Sequence, residues 1–321
     1  MRQVTVSAPG KCIITGEHSV VYGLPALAVA LDIRAKVTAK HYEKGKILIQ
    51  AKQFNKNLVL PIKIDDRISV EKEIYPIYIS VIKTLGYLQV SDGVELVINS
   101  DIPDAAGLGS SAAVSVCTVK SIGELFSADL KKQEISNLAF ESEKVVHGAP
   151  SGIDNAISVY GGGLLYRRGR ISKLNLPGDI PLIIGDTLKK RNTGALVKKV
   201  RENYLEYPKI FKPIMNAIGR ISIQARQSLE KNDLPKLGEL MNINQGLLES
   251  MGVSTIELEK LIHAARESQA YGAKLTGAGG GGCIVALSNQ NNRQNIAEKI
   301  NEAGGKAYIT RISAEGVRVD G

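Results

Sequence analysis

The hydrophobic period of this chain changes at residue 110, and that change restricts the fold more than any other feature. Up to about residue 100, apolar and polar residues alternate. VTVS, ALAVALDI, AKVTAKHY, KILIQAK and VELVINS read as strands between turn residues or charges. One helix interrupts them at 71–86, where Ile74, Ile77, Ile79, Val81 and Ile82 cluster. From 110 the spacing turns helical, through Val114, Val116, Val119, Ile122 and Leu125, then Ile135, Leu138, Ala139, Val145 and Val146. A glycine turn, YGGGLLYRRG, leads into a strand, PLIIGD at 181–186 starts another, and a long helical region follows over 193–269. CIVALS, NRQNIAEKINEAG and KAYITRIS close the chain as strand, helix, strand. Neither an all-α nor an all-β fold accommodates both periods, so the class is mixed α and β. At 321 residues the chain exceeds one core. The boundary is expected in 168–180, among Arg168, Gly169, Arg170, Pro177 and Gly178, giving domains 1–172 and 173–321.

No run of about eighteen apolar residues is present, so no membrane helix is expected. The start, MRQVTVSAPGKC, reads as a strand rather than a signal peptide. Cys12, Cys117 and Cys283 lie far apart without ligand spacing, which predicts packed, reduced thiols and a cytoplasmic protein. The net charge of +9 raises the question of nucleic acid. The basic residues are scattered apart from Lys189–Arg191 and Lys198–Arg201, and no basic stretch is interleaved with aromatics. A solvated surface that favours small anions explains the charge better.

Three glycine stretches carry the chemistry. In PDAAGLGSSAAV (103–114), Gly107 and Gly109 precede a helix whose first N–H groups have no partner, with Ser110 and Ser111 adding hydroxyls and Ala112 and Ala113 keeping the first turn slim. Such a turn suits phosphate. On the residues alone, a serine-capped tight turn remains an equal reading. The string also fits G-x-G-x-x-A, and Gly277–Gly282 fits G-x-G-x-x-G, but neither leads into a βαβ unit, and no Walker string occurs. In APGKCIITGEHSVVYG (8–23), Lys11 follows a Pro-Gly turn and Glu17-His18 follows another glycine. In KLTGAGGGGCIVAL (274–287), five glycines surround one alanine ahead of a buried strand, a freedom that is costly unless a backbone must pass close to something.

In order and spacing, these stretches resemble the three motifs of the GHMP kinase family, named for galactokinase, homoserine kinase, mevalonate kinase and phosphomevalonate kinase. The resemblance covers nearly the whole chain. APGKCIITGEHSVVYG, EKVVHGAPSGIDNAISVYGG (143–162) and TLKKRNTGALV (187–197) look most like the mevalonate kinase branch. Asp104-Ala105 departs from the small or glycine residue usual before A-G-L-G-S-S. The implied fold is an N-terminal domain like that of ribosomal protein S5 and a C-terminal ferredoxin-like domain with extra helices.

The resemblance also implies roles. Pro103, Gly107, Leu108, Gly109, Ser110, Ser111, Ala112 and Ala113 would cradle ATP, and Ser111 with Glu143 would hold Mg2+. By sequence alone, Glu143 reads as an ordinary exposed helix glutamate. Asp154, otherwise a turn former, would take the proton of the acceptor hydroxyl, with Lys11 favouring its ionised form and alkoxide character on the attacking oxygen. Glu17, His18, Arg191 and Thr193 match acceptor-pocket positions, and Gly277, Ala278 and Gly279 would complete the site. The implied partners are ATP and mevalonate, with a homodimer allowed and neither nucleic acid nor membrane. A non-catalytic nucleotide-binding module and an RNA-binding protein are the rival readings. Lys11, Glu143 and Asp154 weigh against the first, because binding alone needs no base.

Overall fold

The computed structural model describes residues 2–63, 70–103, 107–147, 152–189 and 193–320, and for 145–147 the backbone alone. The N-terminal half opens with β1 (Gln3–Thr15), β2 (Ala26–Tyr42), β3 (Lys46–Ala51) and β4 (Lys56–Pro61), then α1 (Tyr75–Leu88) and β5 (Gly93–Ser100). Helices α2 (Ser110–Leu125), α3 (Lys132–His147) and α4 (Ile153–Tyr160) follow, and then the hairpin β6 (Gly163–Arg167) and β7 (Arg170–Lys173). Two stretches read as separate strands, ALAVALDI and AKVTAKHY, form the single strand β2. Its first part pairs with β6 and its second with β5, while β1 runs along the other edge. The junction between them is an irregularity. Pro9 pairs with Arg34 and Gly10 with Leu31, so β2 carries extra residues there. Pro9–Gly10 is therefore not the turn expected from its sequence. It lies inside β1 at a bulge, where a proline without an N–H is tolerated.

The predicted helices at 110–126 and 131–147 appear as α2 and α3. α1 begins at Tyr75 rather than 71, with Pro76 in its first turn, where a missing N–H costs nothing. α2 is buried on nearly every side and packs against β1, β2 and the helices α1, α3 and α4, which makes it the axis of this half.

The C-terminal half holds β8 (Pro181–Asp186), α5 (Thr193–Glu206), α6 (Pro208–Glu230), α7 (Leu234–Ser250), α8 (Ile256–Glu267), β9 (Gly272–Leu275), β10 (Cys283–Leu287), α9 (Arg293–Glu302) and β11 (Lys306–Arg311). The region expected to be helical from 193 to 269 is four helices. Pro208 opens α6, Asp233 caps Lys236 N–H ahead of α7, and Thr255 caps α8 after the Gly252 turn. The sheet order β11-β8-β10-β9, antiparallel throughout, is the fourth-first-third-second order of a ferredoxin-like βαββαβ unit, as the resemblance implied. A last strand, β12 (Arg318–Asp320), leaves this half and pairs with β1. Among the described residues, one sheet therefore takes strands from both ends of the chain, and the large apolar core runs from Val6 and Ile47 through to Met241 and Cys283. Among the described residues, no helix is long and apolar enough to cross a membrane.

Candidate active site

The β1 irregularity and α4 together place the first pair of functional side chains. Ser158, one turn into α4, donates to the carbonyl of Pro9 at 3.0 Å, tying that helix to β1 beside Gly10. Lys11 on β1 and Asp154 in the first turn of α4 then meet, with Nζ 3.2 Å from Oδ1. The lysine side chain is 7% exposed and the aspartate 30%, so the pair is weakly screened on one side and open on the other.

The glycine-serine turn meets the same pair. Lys11 N–H donates to Leu108 O at 2.7 Å. Gly109 sits at φ 77°, and a Cβ there would lie 2.8 Å from Lys11 Cγ. Only glycine lets the loop close over the lysine while turning into α2. Ser110 packs inward, 3.4 Å from the Ser100 hydroxyl, whereas Ser111 is exposed at the helix start. Ala113 lies fully buried behind the loop. A cavity of about 250 Å³ extends from Pro103 and the 107–112 turn to Glu143, Asp154 and Asn155. Asp104, Ala105 and Ala106 lie outside the described residues.

Glu143 is not the exposed helix residue its sequence suggested. Burial, with Asp154 nearby, pushes its carboxyl up to about 7, and Lys11 opposes the shift. Asn155 Nδ2 donates to Glu143 Oε2 at 2.6 Å, while Asn155 Oδ1, also buried, has no hydrogen-bond partner among the described residues. Asn155 was missed in the sequence because an asparagine after an aspartate reads as more turn chemistry.

A second group lies next along β1. The Cys12 thiol, raised to about 12 by burial, feels Lys274 and Lys11 lowering it and Glu17 raising it, which makes the two groups neighbours. His18 takes a left-handed backbone, φ 57°, and its Nε2 lies 2.9 Å from Ala278 O. Burial lowers the pKa of His18 most strongly, leaving a neutral ring. Donation from Nε2 to that carbonyl places the ring's lone pair on Nδ1. Glu17 is fully enclosed, ion-paired with Lys274 and accepting from Asn244 Nδ2 at 3.1 Å. Its carboxylate faces protein rather than open space. Burial lowers the Lys274 pKa, and Glu17 opposes it.

The 277–282 glycines run between walls. Gly279 has φ 81°, and a Cβ there would meet Val253 O at 2.1 Å. Thr187 Oγ1 donates to Gly282 O at 2.8 Å. Thr276 Oγ1 accepts from Ile13 N–H at 2.9 Å and donates to Ile13 O at 3.1 Å, stitching the loop to β1. Thr193 is the exposed first residue of α5, while Pro150 and Arg191 lie outside the described residues.

The chain matches the family model for the GHMP kinases N terminal domain over residues 74–162 and that for the GHMP kinases C terminal over 225–306. The mevalonate kinase of Thermococcus sibiricus is 41% identical, the alignment covering 99% of this chain and 98% of the relative. Among solved structures, the mevalonate kinase of Methanococcus jannaschii superimposes with a TM-score of 0.85 at 28% identity, covering 97% of this chain and 98% of that one. The L. major mevalonate kinase in complex with R-mevalonate gives 0.84 at 26% identity, covering 98% and 97%.

Proposed function

The chain belongs to the GHMP kinase family, and on that premise we propose that it is a mevalonate kinase, transferring the γ-phosphoryl of ATP to the 5-hydroxyl of (R)-mevalonate to give 5-phosphomevalonate and ADP. The Lys11–Asp154 pair carries this reading. It lies where a helix N-terminus, a glycine turn and a carboxylate-lined cavity meet. Asp154 takes the proton of the acceptor hydroxyl as its oxygen attacks the γ-phosphorus, and the O–P bond to ADP breaks. Lys11, nearly sealed from water, holds the carboxylate and offsets negative charge on the attacking oxygen. The unpaired N–H groups opening α2 and the Ser111 hydroxyl face the phosphates.

The residues present fit a magnesium ion. Glu143, Asp154 and the Ser111 hydroxyl are hard oxygen donors around one cavity. Burial first and the Asp154 charge second raise the Glu143 carboxyl, and a cation beside it favours the ionised form. Among the described residues, no group of three or more His, Cys, Asp or Glu side chains is placed to hold a metal. Once bound, magnesium supplies charge neutralisation on the phosphates.

On the acceptor side, His18 with its lone pair on Nδ1 suits the tertiary hydroxyl as donor. Arg191 is the cation the sequence offers for the carboxylate, beside Thr193. ATP as co-substrate and three buried cysteines support a cytoplasmic setting. The test is steady-state turnover with Mg-ATP and mevalonate, 5-phosphomevalonate, homoserine or galactose, with the product identified as well as ADP counted. Mevalonate should be preferred, giving 5-phosphomevalonate. Preference for any other acceptor overturns the reading.

A further inference from the structure

Lys274 is a charged side chain with no exposed surface, and the mechanism above does not use it. It sits in β9, a four-residue strand buried at every position. Its ammonium meets Glu17 and the carbonyl of Leu275, and Asn244 of α7 donates to the other Glu17 oxygen. A charge pair removed this far from water gains little over an apolar filling. A structural role alone gives no reason for an ionic seam at this point rather than leucines.

The residue after Glu17 supplies the reason. His18 holds a left-handed backbone without being glycine, a conformation that persists only where its surroundings over-determine it. Among the described residues, the His18 ring hydrogen-bonds beyond the turn itself to the Ala278 carbonyl. Glu17 is the other fixed point, with Ser19 N–H donating to its carbonyl at 2.6 Å. Thr276, two residues beyond Lys274, grips Ile13 on both its N–H and its carbonyl. Among the described residues, the segment 274–278 thus meets 13–18 through Thr276–Ile13, Lys274–Glu17 and Ala278–His18, of which Lys274–Glu17 is the ionic contact.

We propose that Lys274 is a positioning residue for the acceptor side of the site: through Glu17 it fixes the turn that presents His18 beside the glycine loop. Within this assignment Glu17 is a strut rather than an acceptor ligand. The kinetic part rests on the mevalonate kinase reading; the placement of His18 does not. Lys274→Met fills similar volume but leaves the Glu17 carboxylate buried without its partner. The double variant Glu17→Gln with Lys274→Met removes both charges and keeps an amide for Asn244, so it tests the same point if the single variant fails to fold.

The experiment has two readouts on the intact protein. The first is the His18 imidazole 15N–1H signal, assigned by its loss in His18→Gln. The second is the pair of KM values for mevalonate and ATP. The His18 signal should move in Lys274→Met, with the mevalonate KM rising tenfold or more and the ATP KM staying within twofold. The double variant should fall between parent and single variant on both readouts. A His18 signal and mevalonate KM at parental values in the double variant would overturn the proposal. So would an equal rise in both KM values, which marks general loosening. If the parent does not phosphorylate mevalonate, the function fails, while the His18 signal still decides the role of Lys274.

Discussion

At the scale of single residues, the site depends on two electrostatic arrangements with different consequences. Lys11 and Asp154 act on one proton transfer, so Lys11→Met and Asp154→Asn should each lower kcat by about 10²–10⁴-fold. The double variant should be scarcely slower than either single one, because the two act as a unit. ATP affinity, measured by titration without acceptor, should change little. Multiplying effects, or near-normal kcat in Asp154→Asn, would remove the base role. Glu143 gives a pH signature instead. Its folded pKa of about 7 lies above the ordinary 4.5, so the folded state binds the extra proton between those values. Stability from this group is complete below the lower value and is lost as pH rises to about 7, by roughly 3 kcal/mol for a shift of that size. Glu143→Gln keeps an acceptor for Asn155 and carries no charge. Urea denaturation without nucleotide or metal should show the parent falling relative to this variant between pH 5 and pH 8. A difference that does not change with pH would mean Glu143 stays ionised throughout. Added Mg2+ and nucleotide should narrow the gap at pH 8, because a cation favours the ionised form.

At the scale of elements, the junction between the glycine turn and α2 can be tested directly. Gly109→Ala imposes a left-handed alanine, at about 1–2 kcal/mol, and places its Cβ 2.8 Å from the middle of the Lys11 side chain. At Gly304, φ 92° past the end of α9, an added Cβ would meet nothing within 4 Å among the described residues, so Gly304→Ala carries the backbone cost alone. Gly109→Ala should lose at least as much stability in thermal melts as Gly304→Ala, and only Gly109→Ala should lose most of its kcat. Equal kcat in the two would show that Lys11 yields without leaving Asp154. Elements of this kind were legible where local pattern and tertiary role agree. α2 and α3 follow from their apolar spacing, and the β2 irregularity lies between the two runs that read as separate strands. Other elements depend on partners distant in sequence. RVD at 318–320 is a strand only because β1 offers an edge, and GAKL at 272–275 hides a lysine that is ion-paired with Glu17 from the other half. Glu143 looked solvated until α4 closed over it with Asn155.

At the scale of the whole molecule, the two halves are joined more closely than a cut at 172/173 suggests. That cut removes the last residue of β7, and, more seriously, it removes β12 from β1. Arg34 shows what is lost. Its buried guanidinium donates to Ser7 O and Ser7 Oγ within the first domain, and to Gly316 O at 2.6 Å, Glu315 O and Ser313 Oγ on the returning segment. A fragment 1–172 would lose those acceptors and leave the Arg34 guanidinium to water. It would also expose the core face now covered by Ala225, Leu229, Leu237, Leu240 and Met241. At about 25 cal/mol per Å² of apolar surface, uncovering several such side chains outweighs the few kcal/mol by which a domain is normally stable. The intact chain should therefore unfold in one cooperative urea transition, with far-ultraviolet circular dichroism and tyrosine fluorescence coinciding. Fragment 1–172 alone should lack a cooperative transition and bind no ATP, and supplying 173–321 in trans should restore both. Cooperative melting of 1–172 by itself would mean that β12 and the covering helices dock onto a finished domain rather than completing it.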